Sequence, residues 1–195
     1  MILKKINMAI FISAGHNNQK GTKNYDPGAV GKIVGVQIIE ADLTQDFENL
    51  VLAEITRKGF KYITDKSEES LGEYLKKIQT GSGSVVLEFH FDAAASSSAT
   101  GTTAIVGSDA DRLDKAFAKE IVDATSNILG IKNRGVISEG SSARGRLGLM
   151  REQGVVSLLE LAFISNPNDI SNYHKNKQKL ASAIADIVIK YEKMI

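Results

Sequence analysis

Four polar side chains stand where an apolar pattern is interrupted or where a loop meets a regular element: His16, Glu40, His90 and Glu160. Imidazole is a favoured nitrogen ligand for zinc, and two histidines with one carboxylate leave the fourth tetrahedral position to water or substrate, the pattern of a catalytic metal site. His16, Glu40 and His90 are therefore candidate ligands, and Glu160 is a candidate base. Glu160 follows Val155-Val156-Ser157-Leu158-Leu159, and an ionised carboxylate in such a run is costly unless a cation or a metal compensates it. A desolvated carboxylate near a metal can titrate close to neutral pH, as a general base should. Each residue also has an ordinary structural explanation. A strand-end histidine can satisfy a backbone group, a glutamate at a helix start stabilises the dipole, and Glu160 can be half of a buried ion pair with an arginine. The candidates are too far apart along the chain to form a compact motif such as H-E-x-x-H. The fold has to bring them together.

The elements that must do so are legible from periodicity. Met8 to Ser13 reads as a buried strand, followed by a glycine-rich, turn-rich loop from Ala14 to Val36. A loop of that length in a compact domain is usually functional. From Ile38 the positions Ile39, Leu43, Phe47, Leu50 and Val51 recur at helical spacing, with Glu40 in the first turns and Gly59 as a stop. Phe60 to Thr64 reads as a short strand, Ser67 to Gln79 as a helix, Ser84 to Phe91 as a buried strand and Thr102 to Val106 as another. Asp109 to Leu129 is helical, with Leu113, Phe117, Ile121 and Ile128 inward. A polar stretch from Lys132 to Arg146 precedes Leu147 to Met150 and the apolar run Val155 to Leu161. The remainder, Asp169 to Ile195, is largely helical, with Leu180, Ile184, Ile187, Val188 and Tyr191 on one stripe, and His174 falls in a polar segment expected to be solvated. This order predicts an α/β fold, a three-layer sandwich whose largely parallel or mixed central sheet carries helices on both faces. In open sheets of this kind, sites collect beyond the strand ends.

Composition narrows the function classes. The chain has 195 residues, 43% hydrophobic and 24% charged, which describes a globular chain of one domain spanning residues 1–195. A net charge of +1 gives no general drive toward nucleic acid or an anionic membrane. With no cysteine, disulfides, thiolate zinc sites and cysteine nucleophiles are excluded together. The start of the chain imitates a secretory signal, but its apolar run Met8 to Ile12 falls short of the roughly 7 to 15 residues such a signal needs. No stretch approaches the roughly 20 apolar residues of a membrane span. The expectation is a protein made in the cytoplasm without an evident signal peptide and not inserted in a membrane.

Five ordered blocks resemble the zinc-dependent N-acetylmuramoyl-L-alanine amidases of the type 3 cell-wall class. They are Ile12-Ser13-Ala14-Gly15-His16; Tyr25-Asp26-Pro27-Gly28-Ala29 leading to Glu40; Leu87 to Ala93 around His90; Asn133-Arg134-Gly135-Val136; and Leu158 to Asp169 around Glu160. The resemblance implies one Zn²⁺ held by His16, Glu40 and His90, with Glu160 as the catalytic carboxylate. It implies peptidoglycan as substrate and cleavage of the amide joining the lactyl group of N-acetylmuramic acid to L-alanine of the stem peptide. Site of action is then the cell wall, after release or export, which suits a phage or prophage lysin and equally an exported enzyme.

Two departures from the family pattern bear on the site. Ser13 replaces an aspartate common before the first histidine, which touches the orientation of His16. Asp92 replaces a usual asparagine, adding negative charge near the cleft. Asp92, Arg134, Arg144 and Arg146 are candidate substrate contacts, the arginines because stem peptides carry carboxylates that guanidinium binds in bidentate fashion. Residue types alone leave other readings open: a zinc peptidase or carboxypeptidase on the same fold, a non-catalytic peptidoglycan-binding module, or a glycosidase pairing Glu88 with Glu160.

Overall fold

A computed structural model describes residues 9–17, 19–33, 35–65, 69–143 and 145–195. A six-stranded mixed sheet forms the centre, in the order β4-β1-β5-β8-β6-β7. These strands are β1 (Ala9–Ala14), β4 (Tyr62–Thr64), β5 (Ser84–Asp92), β6 (Thr102–Val106), β7 (Asn133–Ser138) and β8 (Val155–Phe163). β8 and β6 run antiparallel, and the other neighbours pair in parallel. A separate antiparallel hairpin, β2 (Val30–Ile33) and β3 (Val36–Ile39), leads into helix α1 (Glu40–Arg57). The other helices are α2 (Leu71–Lys77), α3 (Arg112–Leu129) and α4 (Pro167–Glu192).

Alternation along the strands divides the apolar residues between two layers of unequal thickness. Ile10, Ile12, Val85, Leu87, Phe89 and Phe91 face α1, α3 and α4, packing with Phe47, Phe117, Tyr173 and Ile184. Phe47 meets Phe89 edge-on with centroids 4.9 Å apart, and Phe91 meets Tyr173 at 5.0 Å. Aromatic pairs of this geometry add about 0.5–1.5 kcal/mol beyond area burial. On the other face Phe11, Val86, Val156 and Leu158 meet only Tyr74 and Ile78 from α2 and its exit, with Leu149 and Met150 from the short 3₁₀ turn Gly148–Arg151. The thin face leaves the ends of its strands uncovered, and the polar side chains lie there.

The predicted sandwich is the one observed, with four local differences. The segment read as a loop holds the β2–β3 hairpin. Its strands expose Val30 and Val36 by half or more, so no burial alternation marks them, and Gly35 at φ +81° makes the turn. The polar stretch 132–146 opens with β7, an edge strand whose first residues are exposed because only β6 covers it. The helix expected over 67–79 spans Leu71–Lys77, because Ser70 and Glu73 form a capping box there; residues 67 and 68 lie outside the described residues. α4 begins at Pro167, capped by the Asn166 side chain, and its first turns run through His174. His174 is exposed as expected, on a helix instead of a connecting segment. Among the described residues no helix is long and apolar enough to cross a membrane.

Candidate metal centre and cleft

On the thin face each strand changes from apolar to polar at one level. β5 passes from Val86 to Glu88 and His90, β1 from Phe11 to Ser13, and β8 from Val156 and Leu158 to Glu160. The period of two puts each series on one side of the sheet. Register then aligns them: Ser13 pairs with Glu88, His90 with Glu160, and Glu160 with Thr103 of β6. β5 lies between β1 and β8, so His90 occupies the middle of the constellation.

His16 and Glu40 arrive from the long connection between β1 and α1. Gly15 extends the ladder through its N–H to Phe89 O at 2.8 Å, and the chain then turns at His16, whose φ of +69° is the one positive value at a non-glycine among the described residues. That uncommon conformation is held on both sides. Asn17 and Asp26 exchange backbone hydrogen bonds of 2.9 and 3.0 Å, Thr44 Oγ1 donates to Gly15 O at 2.7 Å, and the Asp26 carboxylate contacts His16 Nδ1 at 2.8 Å. Glu40 is the first residue of α1, where the helix dipole favours an acid. Its Oε2 accepts Ala29 N–H at 2.8 Å, and its Oε1 accepts Phe91 N–H at 3.0 Å and lies 2.9 Å from His90 Nδ1.

Two glycines of the chain are explained by close approach. A Cβ on Gly15 would lie 2.2 to 2.5 Å from three atoms of the His90 ring. A Cβ on Gly28 would lie 2.5 Å from the His16 ring and 2.6 Å from Glu40 Oε2, and its φ of +63° is itself suited to glycine.

The donor set suits a divalent metal ion. His16, Glu40 and His90 each offer a ligand atom, and these atoms all lie within 4.8 Å of one another. Each imidazole gives one nitrogen to an outer carboxylate: His16 Nδ1 to Asp26, and His90 Nε2 to Glu88 Oε1 at 3.1 Å. The other nitrogens, His16 Nε2 and His90 Nδ1, turn toward Glu40. His16 Nε2 lies 3.2 Å from Glu40 Oε2 but out of alignment, so it is buried without a hydrogen-bond partner. Carboxylate–histidine–metal chains are built this way. Electrostatics point to the same need for positive charge. Burial would raise the Glu40 carboxyl, but the two imidazoles hold it well below the usual carboxylate range. Burial likewise opposes charge on the histidines, yet Glu40 and Asp26 raise His16, and Glu40, Glu88 and Glu160 raise His90 to about 9.

A cleft of about 830 Å³ opens over this group, lined by His16, Glu40 and Glu160 together with Lys132, Arg134 and Ser141. Glu160 is 6% exposed and stands outside the three-residue ligand group, beside His90 in register. Asp92 and Arg134 also line the cleft; Arg134 stacks its guanidinium 5.1 Å from the Phe163 ring centroid. Arg146 is exposed and is not among the cleft-lining residues, and Arg144 lies outside the described residues. Glu88 does not line the cleft, because His90 and Ser13 take up its two oxygens, which disfavours the glycosidase pairing. Ser13 therefore bears on His90 through Glu88, not on His16 as its position suggests; Asp26 orients His16.

Sequence reasoning missed Glu88 and Glu139 as supporting residues. Glu88 had a readable signal, an acid two residues before His90 on the same face of an apolar strand. Glu139 had none. It is 3% exposed, pairs with Arg151, accepts Leu147 N–H at 2.7 Å and Ser108 N–H at 3.3 Å, and so ties down the loop that carries Ser141 into the cleft.

Comparisons with known proteins agree with this geometry. The N-acetylmuramoyl-L-alanine amidase family (Amidase_3) matches residues 10–190. No curated protein sequence matches the chain. Among solved structures, the chain is similar to the N-acetylmuramoyl-L-alanine amidase from Clostridium difficile 630, with a TM-score of 0.74, 18% identity, and coverage of 95% of this chain and 96% of that one. It is similar to the catalytic domain of the CD27L endolysin, which targets Clostridia difficile, with a TM-score of 0.71, 18% identity and coverage of 94% and 97%. It is also similar to the catalytic domain of CwlV, an N-acetylmuramoyl-L-alanine amidase from Bacillus (Paenibacillus) polymyxa var. colistinus, with a TM-score of 0.70, 20% identity and coverage of 96% and 100%.

Proposed function

Because the chain belongs to the N-acetylmuramoyl-L-alanine amidase family, whose enzymes hydrolyse peptidoglycan, we propose that residues 1–195 act as one zinc-dependent catalytic domain with His16, Glu40 and His90 as ligands and Glu160 as the proton-transfer residue. The observation that carries this reading is the ligand group itself: two imidazoles and a carboxylate with ligand atoms within 4.8 Å, each imidazole braced by a further acid, at the floor of a cleft that Glu160 also lines. A bound zinc ion with an open position supplies a water acidified toward neutrality and polarises the scissile carbonyl.

The side chains of the site do the rest. Glu160 takes the proton from the attacking water and returns it to the departing alanine nitrogen, which must leave as an amine because an amide anion is too poor a leaving group. Oxygen adds to the lactyl carbonyl, the C–N bond breaks, and a carboxylate and a free L-alanine amine result. Lys132 and Arg134 line the cleft as cations for the carboxylates of the stem peptide. Arg134, stacked on Phe163, meets such a group with part of its rotamer freedom already spent. Asp92 on the same cleft repels carboxylates and favours amide or amine groups of the substrate. The structural likeness to an endolysin catalytic domain supports a lysin role as well as a cell-wall maintenance role for the chain.

Metal content measured together with mass analysis of fragments from purified cell wall tests the proposal. The expected outcome is one zinc per chain and new L-alanine amino termini on intact glycan. New reducing ends, or cleavage within the peptide, would overturn it.

A further inference from the structure

Glu88 is a buried acid that the proposed reaction does not use. It is 3% exposed on β5, two residues before His90 and on the same face, and both of its oxygens are engaged. Oε1 lies 3.1 Å from His90 Nε2, and Oε2 accepts the Ser13 hydroxyl at 3.2 Å. Ser13 is its register partner on β1.

We infer that Glu88, steadied by Ser13, is the positioning residue that fixes His90 as a ligand, by accepting the Nε2 proton and so leaving the lone pair on Nδ1. This rests on the reading of His16, Glu40 and His90 as the metal ligands. The ring has little other restraint on its orientation about its own axis. Gly15 packs against its atoms and sets where the ring lies. Packing alone does not separate the ring from its flipped form, in which carbon replaces each nitrogen. Glu88 at one end and Glu40 at the other do separate them, because both contacts, 3.1 and 2.9 Å, are lost in the flip. Asp26 performs the same task for His16 through Nδ1, so the two imidazoles present opposite nitrogens, Nε2 of His16 and Nδ1 of His90, toward Glu40. Since Ser13 and Glu88 are register partners on adjacent strands, the carboxylate can be supplied from either strand.

That interchangeability gives the test, a zinc dissociation constant measured by competition with a chromophoric chelator, alongside thermal melting of the metal-free protein. Glu88→Ser should weaken zinc binding by about 10- to 100-fold at unchanged stoichiometry, the usual effect of removing a ligand's carboxylate partner. The swap Ser13→Asp with Glu88→Ser should recover at least about tenfold of that loss. Glu88→Gln, which keeps the volume and one acceptor oxygen, should fold normally and bind zinc more weakly than the parent and more tightly than Glu88→Ser. Parental zinc affinity in Glu88→Ser and Glu88→Gln would overturn the inference while leaving the metal centre intact. A swap no better than Glu88→Ser would also overturn it. Zinc binding unaffected by His16→Ala and His90→Ala would instead overturn the ligand reading, and the inference with it.

Discussion

Gly15→Ala should uncouple the metal centre from the rest of the fold. The added Cβ would lie 2.2 Å from His90 Cε1, 2.4 Å from Nε2 and 2.5 Å from Nδ1, against a normal contact of 3.4 Å or more. The ring or the backbone has to yield by about 1 Å, in an interior packed as densely as an organic crystal. Overpacking of this kind costs about 1–3 kcal/mol. Losing the contacts of His90 to Glu40 and Glu88 leaves buried groups unsatisfied at a similar cost each. A net loss of about 2–3 kcal/mol lowers the melting temperature of a chain this size by about 5–10 °C. The effect on zinc is larger, since ligand positions must hold to within about 0.2 Å: affinity should fall by more than about 100-fold. The matched control is Gly72→Ala. Nothing lies within 4 Å of a Cβ there, and the residue is exposed within α2, so alanine should stabilise the helix by up to about 1 kcal/mol and leave zinc untouched. Calorimetry and chelator competition on the two variants decide the matter. Parental melting and zinc affinity in Gly15→Ala would refute the close-packing account of the Gly-His pair.

Glu160→Ala should keep its zinc and lose about 10²- to 10⁴-fold in turnover on cell wall; undiminished turnover with zinc retained rules the residue out as the proton carrier. His16→Ala and His90→Ala should both lose zinc after dialysis against a mild chelator, checked by elemental analysis, and either one retaining a full equivalent contradicts the ligand set. A pH effect is expected away from the site, at Glu48. Burial and the neighbouring Asp65 push its carboxyl well above the ordinary value of 4.5. The folded state then holds a proton that the unfolded state releases, so stability falls as pH rises above 4.5 until Glu48 ionises in place. Glu48→Gln should flatten that slope in denaturant titrations at a series of pH values, and an unchanged slope refutes the assignment.

Much of this molecule follows from local pattern. Val85 to Phe91 and Val155 to Leu161 can only be interior strands, because nothing but a sheet covered on both faces hides such runs. The inward stripe of α4 and the caps of α3 are written in residue spacing and in Asp111 and Gly130. Elements whose burial is partial left no comparable mark. The β2–β3 hairpin and β7 are exposed on one side or lie at an edge, so their residues satisfy no period strongly enough to separate strand from loop.

The same division holds within the site. Sequence alone marked His16, Glu40, His90 and Glu160, since a charged or titratable group at the end of an apolar run costs free energy without a purpose or a partner. It did not say which groups would be neighbours. That came from strand order and register, which set β5 between β1 and β8, brought Glu160 beside His90 across 70 residues of chain and Ser13 beside Glu88 across 75, and left Arg146 outside the cleft. Side-chain chemistry is a property of each residue and can be read from it; proximity depends on how distant segments pair, and only the closed sheet fixes that.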